Sequence, residues 1–173
     1  MLDHEIHFVL ASDSARLAAV RELFGEVHRL MAEAAGEEAL PGGRLMLAED
    51  FLADYQSPSG GLALACLDGL PAGIGAFRVR ADVDYPNACE LHRLYVRPAV
   101  RRFGLGRALA LALLDHARAA GYSTMLLDTF DDTEAARGLY ESLGFESIAP
   151  YYFDTRPGAH YFKVDLDDIV SKY

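Results

Sequence analysis

The chain has 173 residues, 51% of them hydrophobic and 24% charged, enough apolar content for one sizeable core, and a single domain over 1–173 is expected. With 16 Lys and Arg against 26 Asp and Glu the formal net charge is −10, which argues against the broad basic face of a nucleic-acid binder. The opening Met1-Leu2-Asp3-His4-Glu5 has no basic or long apolar stretch, and the longest apolar run, 108–114, is too short for a membrane span, so no membrane partner and a cytoplasmic location are expected.

Alternation over 5–10 predicts a first strand, after which Ser12 or Asp13 can cap a helix running towards Met31. The stretch 36–61, with Pro41, Gly42-Gly43, Pro58 and Gly60-Gly61, predicts no firm element beyond a short amphipathic piece at 47–55. Residues 62–67 and 73–80, separated by Asp68-Gly69, read as a two-stranded hairpin. A buried strand is predicted over 91–96. Next comes a helix with Leu105, Leu109, Ala112, Leu113 and His116 at helical spacing, stopping at Gly121. A short strand at 124–128 precedes a second amphipathic helix, capped by Asp131 with Glu134, carrying Ala136, Leu139, Tyr140 and Leu143 and stopping at Gly144. Residues 145–148 and 161–166 form a final strand pair around an aromatic, proline-containing loop. The alternation of strand and helix in the second half implies a mixed sheet with parallel strands flanked by helices.

Chemistry concentrates where the 91–96 strand meets the following helix, in Arg101-Arg102-Phe103-Gly104-Leu105-Gly106-Arg107. Glycines at a helix N-terminus leave free N–H groups facing outward, add the positive end of the helix dipole and let a phosphate approach the main chain. Residues 91–114 hold no Asp or Glu but five arginines, Arg93, Arg97, Arg101, Arg102 and Arg107, a local basic patch suited to one anionic ligand. A Walker loop is ruled out because the only lysines are Lys163 and Lys172, and a dinucleotide fingerprint because Leu109 stands where Gly or Ala is needed. Cys66 and Cys89 sit in apolar, strand-like sequence and read as reduced core thiols. The histidines and carboxylates show no ligand spacing, so no metal is expected.

In this order the chain resembles the GNAT superfamily of acetyl-CoA-dependent N-acetyltransferases over nearly its whole length. Two motifs carry the likeness: Leu94-Tyr95-Val96 followed by Arg101-Arg102-Phe103-Gly104-Leu105-Gly106, and Ala136-Arg137-Gly138-Leu139-Tyr140-Glu141-Ser142-Leu143-Gly144-Phe145. The resemblance implies an α/β (α+β) fold, a mixed but mostly antiparallel sheet of about seven strands with about four helices. It also implies acetyl-CoA as cosubstrate without a metal, and direct attack on the thioester in a ternary complex by the primary amine of a small-molecule acceptor. A homodimer is the family-level expectation. Two alternatives stand beside it, a CoA-binding sensor without turnover and a protein or peptide N-acetyltransferase. Net charge alone favours a cationic acceptor.

Particular residues inherit roles from the family pattern. The main chain at Leu94, Tyr95 and Val96 would bind the pantetheine arm and polarise the carbonyl, with Arg101 to Gly106 on the pyrophosphate and Arg102 and Arg107 as further phosphate contacts or solvated side chains. Many members carry Asn where this chain has Thr133, seven residues before Tyr140, so one cofactor contact departs from the pattern. Tyr140 reads as the acid for the leaving thiolate or as a core aromatic. Glu90, six residues before Val96, reads either as the general base, its pKa raised by burial between Cys89 and Leu91, or as a strand residue paired with Arg93 or Arg78. Simple alternation puts it on one face with His92, Leu94 and Val96, and His92 is the second candidate base. Phe24, Tyr55, Tyr151 and Tyr152 are candidate acceptor-pocket lining or ordinary core.

Overall fold

The structure, a computed structural model, describes residues 2–35, 52–129, 134–152 and 158–169. Its centre is a seven-stranded sheet in the order β1-β2-β3-β4-β5-β7-β6. The strands are β1 (His4–Phe8), β2 (Gly61–Leu67), β3 (Leu70–Val79), β4 (Ala88–Val96), β5 (Thr124–Thr129), β6 (Glu146–Ile148) and β7 (His160–Asp165). Only β4 and β5 run parallel; the other neighbouring pairs are antiparallel, as a mixed, mostly antiparallel sheet requires.

Local chemistry sets the element ends. Helix α1 (Ser14–Ala35) starts where Asp13 Oδ1 accepts the Arg16 N–H at 3.1 Å, which selects Asp13 over Ser12 as cap. Asp68 and Gly69, at φ 49° and 77°, supply the two left-handed positions of the β2–β3 turn. Helices α2 (Leu105–Ala119) and α3 (Glu134–Ser142) both end in Schellman pairs: Tyr122 N to Ala117 O and Gly121 N to Arg118 O, then Phe145 N to Tyr140 O and Gly144 N to Glu141 O. A short helix α4 (Leu166–Ile169), not foreseen in the sequence, continues directly from β7. Asp131, the expected cap of α3, and most of the 47–55 piece lie outside the described residues.

The sheet is covered on both faces. Leu17, Val20, Leu23 and Phe24 of α1 bury one stripe against Leu62, Leu64, Ile74 and Ala76, which places Phe24 in the core. On the other face Leu105, Leu109, Leu113 and Ala117 of α2 pack with Phe77, Leu91, Met125 and Phe162. Leu109 and Leu113 are wholly buried, each contributing about 1.5–3 kcal/mol relative to exposure. Arg97, just past β4, ties the strand to α1: its Nη2 donates to Glu26 Oε1 at 2.7 Å and to Glu22 Oε1 at 3.2 Å, and its Nη1 to the Pro71 carbonyl at 2.8 Å. That arginine therefore belongs to the scaffold and drops out of the basic patch.

Candidate active site

Strand β4 is the spine of the site, and two irregularities shape it. The first is where its parallel partner leaves: β5 pairs with Ala88, Cys89 and Glu90, and no ladder pair joins the strands beyond Glu90. β5 continues instead alongside β7 through Thr129, so a gap opens at Glu90 with the edge of β4 turned towards it. The second is a bulge. Ile74 pairs with Tyr95 and Ala76 with His92, so Arg93 and Leu94 together oppose Gly75, and Arg93 takes a positive φ of 55°.

The bulge overturns the expected alternation. Adding one residue switches the faces, so Glu90 and His92 share their face with Tyr95, which packs on the α1 side, while Leu94 and Val96 pack with the α2 core. The gap is thereby flanked by polar groups on one face and apolar ones on the other.

On the polar face Glu90 is 3% exposed and fully engaged. His92 Nε2 bonds Glu90 Oε1, the Tyr151 hydroxyl donates to Oε2 at 2.6 Å, and Arg80 Nη1 stands 3.8 Å from Oε1. The Tyr55 hydroxyl meets His92 Nδ1 at 2.8 Å. An ionised carboxylate only accepts, so His92 Nε2 carries the proton of the bond to Glu90, and Nδ1 is left to the Tyr55 hydroxyl. Burial pushes the Glu90 carboxyl up, but the hydrogen bond and charge of His92, the Tyr151 hydroxyl and the Arg80 charge outweigh it and hold the group below the usual carboxylate range. The expectation of a raised pKa is thus reversed, because the sequence showed the burial and not the donors. Its partners are His92, Tyr151 and Arg80 rather than the expected Arg93 or Arg78. Burial first, and for Tyr151 the Glu90 charge next, push both tyrosine hydroxyls up, so they stay protonated.

Tyr55 reaches this place from the α1–β2 connection, held by a close backbone approach: a Cβ on Gly60 would lie 2.1 Å from the Asp54 carbonyl oxygen and 2.9 Å from Tyr55 Cα. Tyr151 comes from the β6–β7 connection. Tyr152 beside it donates to Asp128 Oδ2 at 2.5 Å. Three of the four suggested aromatic residues therefore converge here.

The opposite end of β4 leads into the start of α2. Gly104 is its N-cap, at φ 77° and ψ 8°, with no side chain capping the helix, and a Cβ built on it meets nothing within 4 Å. Gly106 faces the end of β4, its notional Cβ 3.7 Å from Val96 Cγ2. The first-turn N–H groups, which have no acceptor within the helix, therefore start beside the open edge of β4. Arg101, Arg102, Phe103 and Gly104 are exposed and Leu105 is buried. Arg101 Nε donates to the Val96 carbonyl at 3.0 Å, and Arg107 Nη1 to Ser142 Oγ at 2.7 Å, joining α2 to α3. Tyr140 on α3 is half-buried, its ring 5.8 Å from those of Phe145 and Phe162. Thr133 lies outside the described residues.

Sequence reasoning missed Arg80, beside Glu90 on the polar face. Its only signal was the spacing of Ala76, Arg78 and Arg80, which needs the register with β4 to mean anything. Cys66 and Cys89 are buried and free, and burial pushes both thiols up, away from nucleophilic use. Among the described residues no group of three His, Cys, Asp or Glu side chains could hold a metal, and no helix is long and apolar enough to cross a membrane.

A family model described as Acetyltransferase (GNAT) family matches residues 19–145. The chain is 35% identical over 109 residues to an uncharacterized N-acetyltransferase of Schizosaccharomyces pombe, a match covering 63% of this chain and 66% of that one. It is 36% identical over 110 residues to the N-acetylaspartate synthetase of Danio rerio, covering 63% of this chain and 38% of that protein. The chain thus spans less than two thirds of the length of these curated relatives, 66% and 38%. Its fold is similar to that of YncA from Salmonella typhimurium, solved with its cofactor acetyl-CoA, with a TM-score of 0.71 at 23% identity over 95% of each chain.

Proposed function

Since the chain belongs to the acetyltransferase (GNAT) family, we propose that it is an acetyl-CoA-dependent N-acetyltransferase whose acceptor is the primary amine of a small molecule. The observation that carries this reading is the parting of β4 from β5 at Glu90, which joins an open strand edge to an uncapped, glycine-lined helix start. The open space before Gly104 fits a phosphate group, and the unpaired edge of β4 suits a long amide-bearing arm. Leu94, Tyr95 and Val96 would hold the pantetheine arm through their main chain. Arg101, Arg102, Phe103, Gly104, Leu105, Gly106 and Arg107 would surround the phosphates, with Thr133 as a further contact. Bound there, acetyl-CoA supplies an activated acyl thioester.

The chain's own groups do the proton work. Glu90, ionised and locked, serves less as a free base than as the anchor that fixes the His92 tautomer and stabilises a charged imidazole. A proton leaving the amine reaches this pair through the hydroxyl of Tyr55 or Tyr151, each of which can accept one proton while handing on its own. Main-chain N–H groups beyond the bulge polarise the acyl oxygen, and the Tyr140 hydroxyl supplies a proton to the departing sulfur. The two cysteines are free thiols, which suits a reducing compartment, and we propose a cytoplasmic location.

The test is thiol release from acetyl-CoA by the purified protein across amino acids, polyamines, aminoglycosides, aryl amines and a lysine-rich peptide. Release with one small-amine class is the expected result. Release with the peptide alone would transfer the reading to a protein acetyltransferase; tight acetyl-CoA binding without release from any amine would make it a sensor.

A further inference from the structure

Arg80 is the group in this cleft that the reading above leaves without work. Its main-chain N–H bonds the Ala88 carbonyl at 2.8 Å, next to Glu90, and its side chain is 19% exposed. The guanidinium carbon lies 5.7 Å from the ring centre of Tyr151 and 5.1 Å from that of Tyr152, and both rings are pinned, by hydroxyl bonds to Glu90 and Asp128. Two carboxylates are near. Asp82 Oδ1 is 3.3 Å from Nε, within ion-pair range yet out of line for a hydrogen bond, and that aspartate is 80% exposed, so solvent screens it. Glu90 Oε1 is 3.8 Å from Nη1, an ion-pair distance too long for a hydrogen bond, while His92 and Tyr151 make the close contacts to that carboxylate. Arg80 Nε is buried with no hydrogen-bond partner among the described residues.

A largely buried guanidinium set over two pinned aromatic rings, with a buried donor unsatisfied, is costly unless a ligand completes it. Its planar fork matches a carboxylate, and the rings keep that fork oriented before the ligand arrives. The acetyltransferase reading puts the reacting amine beside Glu90 and His92, so the matching anion and the amine sit on one small molecule, separated by a short carbon chain. Resting on that reading, we propose that Arg80 binds the carboxylate of the acceptor, and that the acceptor is accordingly an amino acid or a similar amine-bearing carboxylate. The local field then outranks the net charge of −10, which by itself favours a cationic acceptor.

The experiment compares amino acids with their own carboxamides and methyl esters as acceptors, on the basis of free-amine concentration, for the wild type, Arg80→Lys and Arg80→Gln. The wild type should prefer the acid by roughly tenfold to a hundredfold in kcat/KM, mainly through KM, the range expected for a charged hydrogen-bonded pair. Arg80→Gln should bring the acid down to the level of the amide, and Arg80→Lys should restore part of the preference. A wild type that uses amide and acid equally overturns the proposal while leaving the acetyltransferase reading intact, and so does an Arg80→Gln variant that keeps the preference. A merely structural arginine would lower kcat for both acceptors together. Should Arg80→Gln fail to fold, the wild-type comparison still decides. Thiol release from no amine, with or without a carboxylate, overturns both readings.

Discussion

Glu90 shows how two opposing effects on a single carboxyl are decided by neighbours distant in sequence. Cys89 and Leu91 foretell burial, which raises a carboxylate pKa, yet the donors come from His92 two residues on and Tyr151 sixty-one residues on, and they win. If the Glu90–His92 pair moves the proton, Glu90→Gln lowers kcat/KM by roughly a hundredfold to ten-thousandfold and removes the acid limb of its pH profile. An unchanged profile would take Glu90 out of the chemistry. Tyr151→Phe tests the same balance more gently. Losing one stabilising donor raises the Glu90 pKa, so ionisation, and with it the acid limb of kcat/KM, moves to higher pH; a shift to lower pH or none contradicts the assigned network.

At the scale of elements, β4 and α2 divide the work. The bulge at Arg93 reverses the alternation of the strand and sends Tyr95, instead of Leu94 and Val96, to the face of Glu90 and His92, while the departure of β5 exposes the strand edge at the same level. Helix α2 contributes its start, and Gly106 offers a clean separation of stability from binding. Its Cβ would make an ordinary contact with Val96, so Gly106→Ala should leave stability unchanged or raise it by about 0.5–1 kcal/mol, since alanine is the better helix former. The same methyl, standing where the main chain should meet a phosphate, should weaken acetyl-CoA binding about tenfold or more. Melting temperature and acetyl-CoA titration on one preparation check both halves, and a variant that binds as tightly as the wild type would separate Gly106 from the cofactor.

For the whole molecule, acid is the destabilising direction. His116, stacked on Phe8 at 3.9 Å, has its pKa lowered by burial from the ordinary 6.5, and Glu26 is held low by Arg97, whose hydrogen bond is the largest of its causes. Both folded-state pKa values lie below the unfolded ones, so each contribution is complete above the unfolded pKa and is lost as pH falls through the folded value. Replacing His116→Phe keeps the stack and removes a titrating group, so the drop in melting temperature between about pH 7.5 and about pH 5, which spans the histidine range, should shrink; an unchanged drop would assign that loss to carboxylates. What the chain alone determined was whatever depends on neighbouring residues: a helix start capped at Ser12 or Asp13, the Asp68-Gly69 turn, the helix ends at Gly121 and Gly144, the order of strands and helices, and the glycine-bearing start of α2. Backbone preferences and short-range hydrogen bonds act within a few residues, so letters suffice to read them. Register and long-range pairing are different, because an extra residue at Arg93 is invisible until β3 lies beside it. The tertiary structure therefore decided which side chains share a face, that Arg97 serves the scaffold, and that Tyr55, Arg80 and Tyr151 close around Glu90 and His92.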